Sequence, residues 1–140
     1  MKISASTFCR IALLVVPPLL AGGCTGDAVA PVAGAERFDP PVTYGSLWTE
    51  VEGCSSLTGT MSRVQWYIVP GTTTFECEYG ACRGLWVAPH SIYLSDVAAH
   101  DFFGDNFFTV KHEILHDLVG HAGHPPVFQQ CGLLRTDAPG

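Results

Sequence analysis

Two histidines four residues apart, in the string His112-Glu113-Ile114-Leu115-His116, constrain this chain more than any other feature. On an α-helix that spacing puts both imidazoles on one face about 6 Å apart, close enough to meet one metal ion. In an extended strand it would part them by about 13 Å. Their use together therefore demands a helix, and the neighbouring residues agree. Asp105 is a good N-cap and Gly120 a good stop, while Phe107, Val110, Ile114, Leu115 and Leu118 recur at helical spacing. The pattern predicts a helix over 105–119 with the His pair on its flank, facing a cleft. Glu113 projects to one side, where a carboxylate can take a proton from a water that a metal has acidified.

A third ligand has to come from beyond the helix end. From Gly120 the chain must return roughly 9 Å along the axis to reach the level of the pair. His121 follows the glycine directly and has no linker for that return. His124 has three intervening residues, each covering about 3.3 Å when extended, so it is expected as the third ligand. His121 stays as the alternative and Asp137 as a remote one. Zn²⁺ is the expected ion.

The first 23 residues have a short basic start (Lys2, Arg10) and an apolar run from Ile11 to Leu20, too short to span a bilayer and closed by small residues. They read as an export signal. The closing Leu20-Ala21-Gly22-Gly23-Cys24 resembles a bacterial lipoprotein signal, which implies lipidation of Cys24 and a membrane held through that anchor. Residues 24–41 are mostly Ala, Val, Gly and Pro and read as a tether. The folded domain is expected over 42–136, followed by a tail at 137–140. Of the basic residues only five follow the leader, against thirteen acidic ones, a mature net charge of about −8. No basic patch exists for nucleic acid, and a monomer is expected.

A domain of under 100 residues has little core and needs staples. Cys54, Cys77, Cys82 and Cys131 supply them, an even number in an exported chain. Four cysteines allow three pairings, and spacing alone does not choose among them. Cys77–Cys82 is favoured because Glu78-Tyr79-Gly80-Ala81 can turn, leaving Cys54–Cys131 by elimination. Val64–Val69 is rich in β-branched and aromatic residues and reads as a strand ending at Pro70-Gly71, with Thr72–Cys77 as its hairpin partner. Leu85–Val87 and Ile92–Leu94 are two further strands divided by Pro89, and a weak helical pattern spans Tyr44–Val51. The sum is an α+β fold: a small, mostly antiparallel sheet packed on one long helix and stapled by disulfides. Trp48, Trp66, Trp86 and the pairs Phe102-Phe103 and Phe107-Phe108 are expected in its core.

Strands followed by a His-Glu-x-x-His helix resemble the zincin metallopeptidases, most closely over Asp105–His124. The resemblance implies His112 and His116 as zinc ligands, Glu113 as general base, Ile92–Leu94 as the edge strand along the cleft, and a peptide or protein as substrate. Tyr93 would be placed to donate to a developing oxyanion, and Asp117 to orient a ligand ring. His90 and His100 are possible cleft residues. No Glu follows Glu113, which argues against the thermolysin type with its later Glu ligand. The Gly and His that metzincins carry three and six residues after the second His are replaced by Val119 and Ala122, and Met61 is the one methionine of the mature chain. The expected protein is a divergent, metzincin-like zinc peptidase of the cell envelope; a non-catalytic metal-binding module is the alternative.

Overall fold

A computed structural model of the chain describes residues 32–135, so the export signal, Cys24 and the tail lie outside the described residues. The elements run β1 (Glu36–Arg37), α1 (Thr43–Ser55), β2 (Gln65–Val69), β3 (Phe75–Cys77), β4 (Gly80–Cys82), β5 (Gly84–Val87), β6 (Ser91–Ser95), α2 (Asp96–Ala99), α3 (Phe108–Val119) and α4 (Pro126–Gln130). Four strands form one sheet in the order β1-β2-β6-β5, and β3-β4 is a separate hairpin.

Alternation along the strands decides what each face buries. Trp66, Ile68, Trp86, Ile92 and Leu94 point to one face and meet Val110, Ile114 and Leu115 of α3 and Tyr44, Leu47, Trp48 and Val51 of α1. These α1 residues stand at i, i+3, i+4 and i+7, one stripe of a helix. The other face carries Tyr67, Val69, Leu85, Val87 and Tyr93, covered by Phe75 of the hairpin and by Val32. The sheet is thus buried on both sides. Its central strand β6 is apolar at three successive positions, Ile92-Tyr93-Leu94, as such a place requires.

The α+β class and the disulfides match the sequence reading, and several of its details do not. The sheet is mixed: β2 pairs β6 in parallel over five residues, flanked by antiparallel β1 and β5. Phe75–Cys77 pairs with Gly80–Cys82 rather than with β2, because β2 has both its edges occupied and the Cys77–Cys82 bond closes the tight hairpin instead. Ile92–Leu94 is then central, and the edge beside α3 belongs to β5. Within the stretch expected as a tether, Glu36 and Arg37 form β1.

The helix that carries His112 and His116 is not long. α3 has 12 residues and starts at Phe108, three later than the periodicity indicates. Asn106 and Phe107 both adopt the left-handed conformation, with φ of 57° and 54°, which excludes them from the helix. A bulky residue pays about 1–2 kcal/mol for that backbone. Phe107 offsets this in part by packing its half-buried ring 6.0 Å from that of Tyr44, an edge-on aromatic pair worth about 0.5–1.5 kcal/mol. Asp105 still caps the helix from outside: its Oδ1 accepts the Phe108 N–H at 3.2 Å. Gly120, at φ 80°, ends it as expected.

Cys54 of α1 is bonded to Cys131 just after α4, with Cα atoms 5.4 Å apart. This fixes the chain that follows the metal-ligand loop against the body of the domain. Trp48, Trp66 and Trp86 are buried as expected, whereas Phe102 is 71% exposed.

Candidate metal centre

His112, His116 and His124 are brought together, each offering a ring nitrogen within 4.8 Å of the others. The Nε2 of His112 lies 3.2 Å from that of His116 and 3.1 Å from that of His124. Two nitrogens bound at 2.0–2.1 Å to one tetrahedral ion stand about 3.3 Å apart. The spacing thus fits a shared metal ion.

Hydrogen bonds on the far side of two rings explain why the nitrogens point inward. His112 Nδ1 is 2.7 Å from the carbonyl oxygen of Leu133, and His116 Nδ1 is 3.0 Å from that of His121. A carbonyl only accepts, so each Nδ1 carries the proton and each Nε2 keeps its lone pair. Two lone pairs then face each other across 3.2 Å with no proton between them, an arrangement that a cation relieves. Burial lowers both rings to a pKa of about 4 from the ordinary 6.5, reinforced for His112 by the neighbouring His124 and Arg135, and for His116 by His112. These two rings are therefore neutral imidazole at physiological pH, the form that binds metal.

Phe128 of α4, fully buried, floors the site. Its ring centroid lies 5.1, 4.6 and 4.9 Å from those of His112, His116 and His124. Pro126 at the first turn of α4 and the Cys54–Cys131 bond set where this ring stands. Neither Phe128 nor the Leu133 carbonyl was legible as a site group in the sequence. A lone aromatic in a short segment reads as ordinary core, and a backbone carbonyl leaves no mark in the residue type.

Glu113 lines the same cleft, of about 300 Å³, together with the three His, Gly84, Leu85, Trp86, Tyr79 and Ala122. Burial pushes its carboxyl up to about 8, an effect that a hydrogen bond from the Trp86 backbone N–H only partly offsets. β5 comes close because it has no side chain at Gly84. A Cβ there would stand 2.6 Å from Glu113 Oε1 and 2.7 Å from Thr109 Cγ2. The glycine is required by space, and its backbone angles are ordinary.

The other residues singled out in the sequence lie elsewhere. His121 contributes its carbonyl to His116 while its ring accepts the Gly123 N–H at 3.0 Å, outside the trio. Asp117 does not orient a ligand ring. It turns away into a buried cluster in which Oδ2 accepts from Arg63 Nε and Nη2 at 3.0 and 2.9 Å, and Oδ1 from Trp86 Nε1 and His90 Nδ1 at 3.2 and 2.9 Å. Tyr93 is on the opposite face of the sheet, stacked 4.6 Å from Tyr67, too remote to reach the cleft. Strand parity decides this, since Ile92 and Leu94 face α3. His100 pairs with Asp96.

Comparison with family models, curated proteins and solved structures finds no match for the chain. Among the described residues no helix is long and apolar enough to cross a membrane.

Proposed function

We propose that this chain is a zinc-dependent peptidase of the cell envelope, exported and anchored through a lipid on Cys24. His112, His116 and His124 hold the metal and Glu113 serves as general base. The observation that carries the reading is the inward-facing trio of Nε2 atoms, two with tautomers set by carbonyls, beside a buried carboxyl in an open cleft. Three protein donors and an accessible side are the pattern of catalytic zinc sites, whereas structural sites are closed by four.

A bound Zn²⁺ would supply Lewis acidity, acidifying a water and polarising a carbonyl. The chain's residues do the rest. Glu113, beside the metal position and raised to about 8 by burial, would be suited to accept a proton from water and pass it to a leaving amine once a bound cation favours its charged form. The Trp86 backbone N–H holds the carboxyl in place. β5, at the edge of the sheet with three residues in the cleft, is where an extended peptide would lie.

The test is the metal content of the purified mature protein together with its action on an unfolded protein. Glu113→Gln keeps the shape and loses the base, so it should retain metal and lose turnover by about 10²- to 10⁴-fold. Retention of the parent's turnover would sink the assignment. Mass spectrometry of the mature N-terminus checks the anchor, which an unmodified Cys24 would remove.

A further inference from the structure

The β3–β4 hairpin presents an aromatic ring to the metal cleft. Cys77 pairs with Gly80, leaving Glu78 and Tyr79 as a two-residue turn, and Gly80 at φ 100° lets the chain reverse directly after the tyrosine. A ribbon of three residue pairs is marginal alone. This one is fixed at its base by buried Phe75 and by the Cys77–Cys82 bond. Its tip is fixed in position while Tyr79 stays 70% exposed, yet Tyr79 lines the same cleft as the His trio.

The groups around that ring are apolar. Leu85, Trp86 and Ala122 line the cleft with it, and Glu113 is the one carboxyl among the lining residues. A braced aromatic at the mouth of an apolar pocket gives a large contact area with few torsions to immobilise. Glu78 beside it and the chain's net charge of −6 disfavour acidic ligands there. We propose that Tyr79 is a specificity-determining residue whose ring forms the outer wall of a subsite beside the metal centre, one that takes a bulky apolar or aromatic side chain. That the side chain belongs to a peptide rests on the peptidase reading above.

The test is calorimetric binding of two hydroxamates to the zinc-loaded mature protein: acetohydroxamate, and one bearing a benzyl side chain. The parent should prefer the benzyl compound. Tyr79→Ala should cut that preference about three- to tenfold, the range of an aromatic pair, and leave acetohydroxamate binding unchanged. Tyr79→Phe, which keeps the ring, should keep the preference. The proposal is overturned if Tyr79→Ala retains the preference within twofold, or if Tyr79→Phe loses as much as Tyr79→Ala. Cleavage of an unfolded protein is read in parallel. A parent that shows the binding preference but cuts no peptide bond overturns the peptidase reading and leaves the subsite standing.

Discussion

His112 and Leu133 are joined by a 2.7 Å hydrogen bond from an imidazole Nδ1 to a backbone carbonyl 21 residues downstream. The carbonyl sits two residues past Cys131, whose bond to Cys54 spans 77 residues of sequence. The staple therefore holds a ring tautomer as well as the fold. Replacing both cysteines by Ser should lower stability by about 4 kcal/mol through loop entropy in the unfolded chain. It should also weaken zinc binding, because a partner of a metal-ligating His is worth about ten- to hundredfold in affinity. Denaturant titration and chelator competition read the two effects, and unchanged affinity in the folded variant would refute the coupling.

His124→Ala and His121→Ala separate a ring that faces the metal position from a backbone that does not need its side chain. His124 offers Nε2 to the trio, whereas His121 serves through its carbonyl, which alanine keeps. His124→Ala should cost more in zinc affinity than the ten- to hundredfold of an outer partner. His121→Ala should stay within about threefold. The reverse order in a competition assay would reassign the ligand.

The metal-free protein should lose stability on mild acidification. His112 and His116 have pKa values of about 4 in the fold against 6.5 as the ordinary value. The unfolded chain therefore binds more protons than the folded one between these values, and stability falls as pH drops through that window. Above pH 6.5 the histidine contribution vanishes, and Glu113, raised to about 8, acts in the opposite sense throughout, so the fall is that of two histidines less one carboxyl. Thermal melts of the chelator-treated protein across pH 4–7 check this, and His112→Gln combined with His116→Gln should remove the fall.

Much of the site was legible because a helix turns spacing into direction. An offset of four residues from His112 to His116 suffices to aim both rings one way, and Gly120 marks where the chain must leave. Reach then favours His124 over His121. The sheet was less legible because its order depends on pairings between distant segments. The β2–β6 register joins Gln65 to Ser91 across an inserted hairpin, and no local pattern encodes that. Phe107 misled for another reason: it has helical spacing, but it packs its half-buried ring against Tyr44 through a left-handed backbone.

Asp117→Asn tests a buried charge one residue beyond the second ligand. The side chain is fully buried and each oxygen accepts hydrogen bonds, with Arg63 as the ion partner. An amide there turns an N–H₂ toward donors and leaves Arg63 without its counter-charge. Arg63 is 35% exposed, so water screens the pair in part, and leaving the buried Asp117 position mispaired should cost about 1–3 kcal/mol. That loss should appear in chemical denaturation, and adding Arg63→Met to Asp117→Asn should recover part of it. Full additivity of the two changes would mean that they do not act as a pair.

Gly84→Ala asks whether β5 must touch α3 for the site to work. The added methyl would stand 2.6 Å from Glu113 Oε1, 2.7 Å from Thr109 Cγ2 and 2.8 Å from Glu113 Cγ, inside van der Waals contact on three sides. Its neighbours are side-chain atoms of Thr109 and Glu113, both buried on α3, which yield little, so overpacking should cost about 1–3 kcal/mol. Relief comes most easily by moving β5 outward, which lengthens the hydrogen bond from the Trp86 N–H that steadies Glu113. Turnover should then fall further than zinc affinity, since the Nδ1 atoms of the His112 and His116 rings are held by the carbonyls of Leu133 and His121, which lie outside β5. Thr109→Ser removes the methyl group at Cγ2 and should restore part of the stability when combined with Gly84→Ala. The expected signature is a folded, metal-loaded protein with reduced turnover on an unfolded substrate; a variant with the parent's stability and rate would show that the close approach at Gly84 is not required.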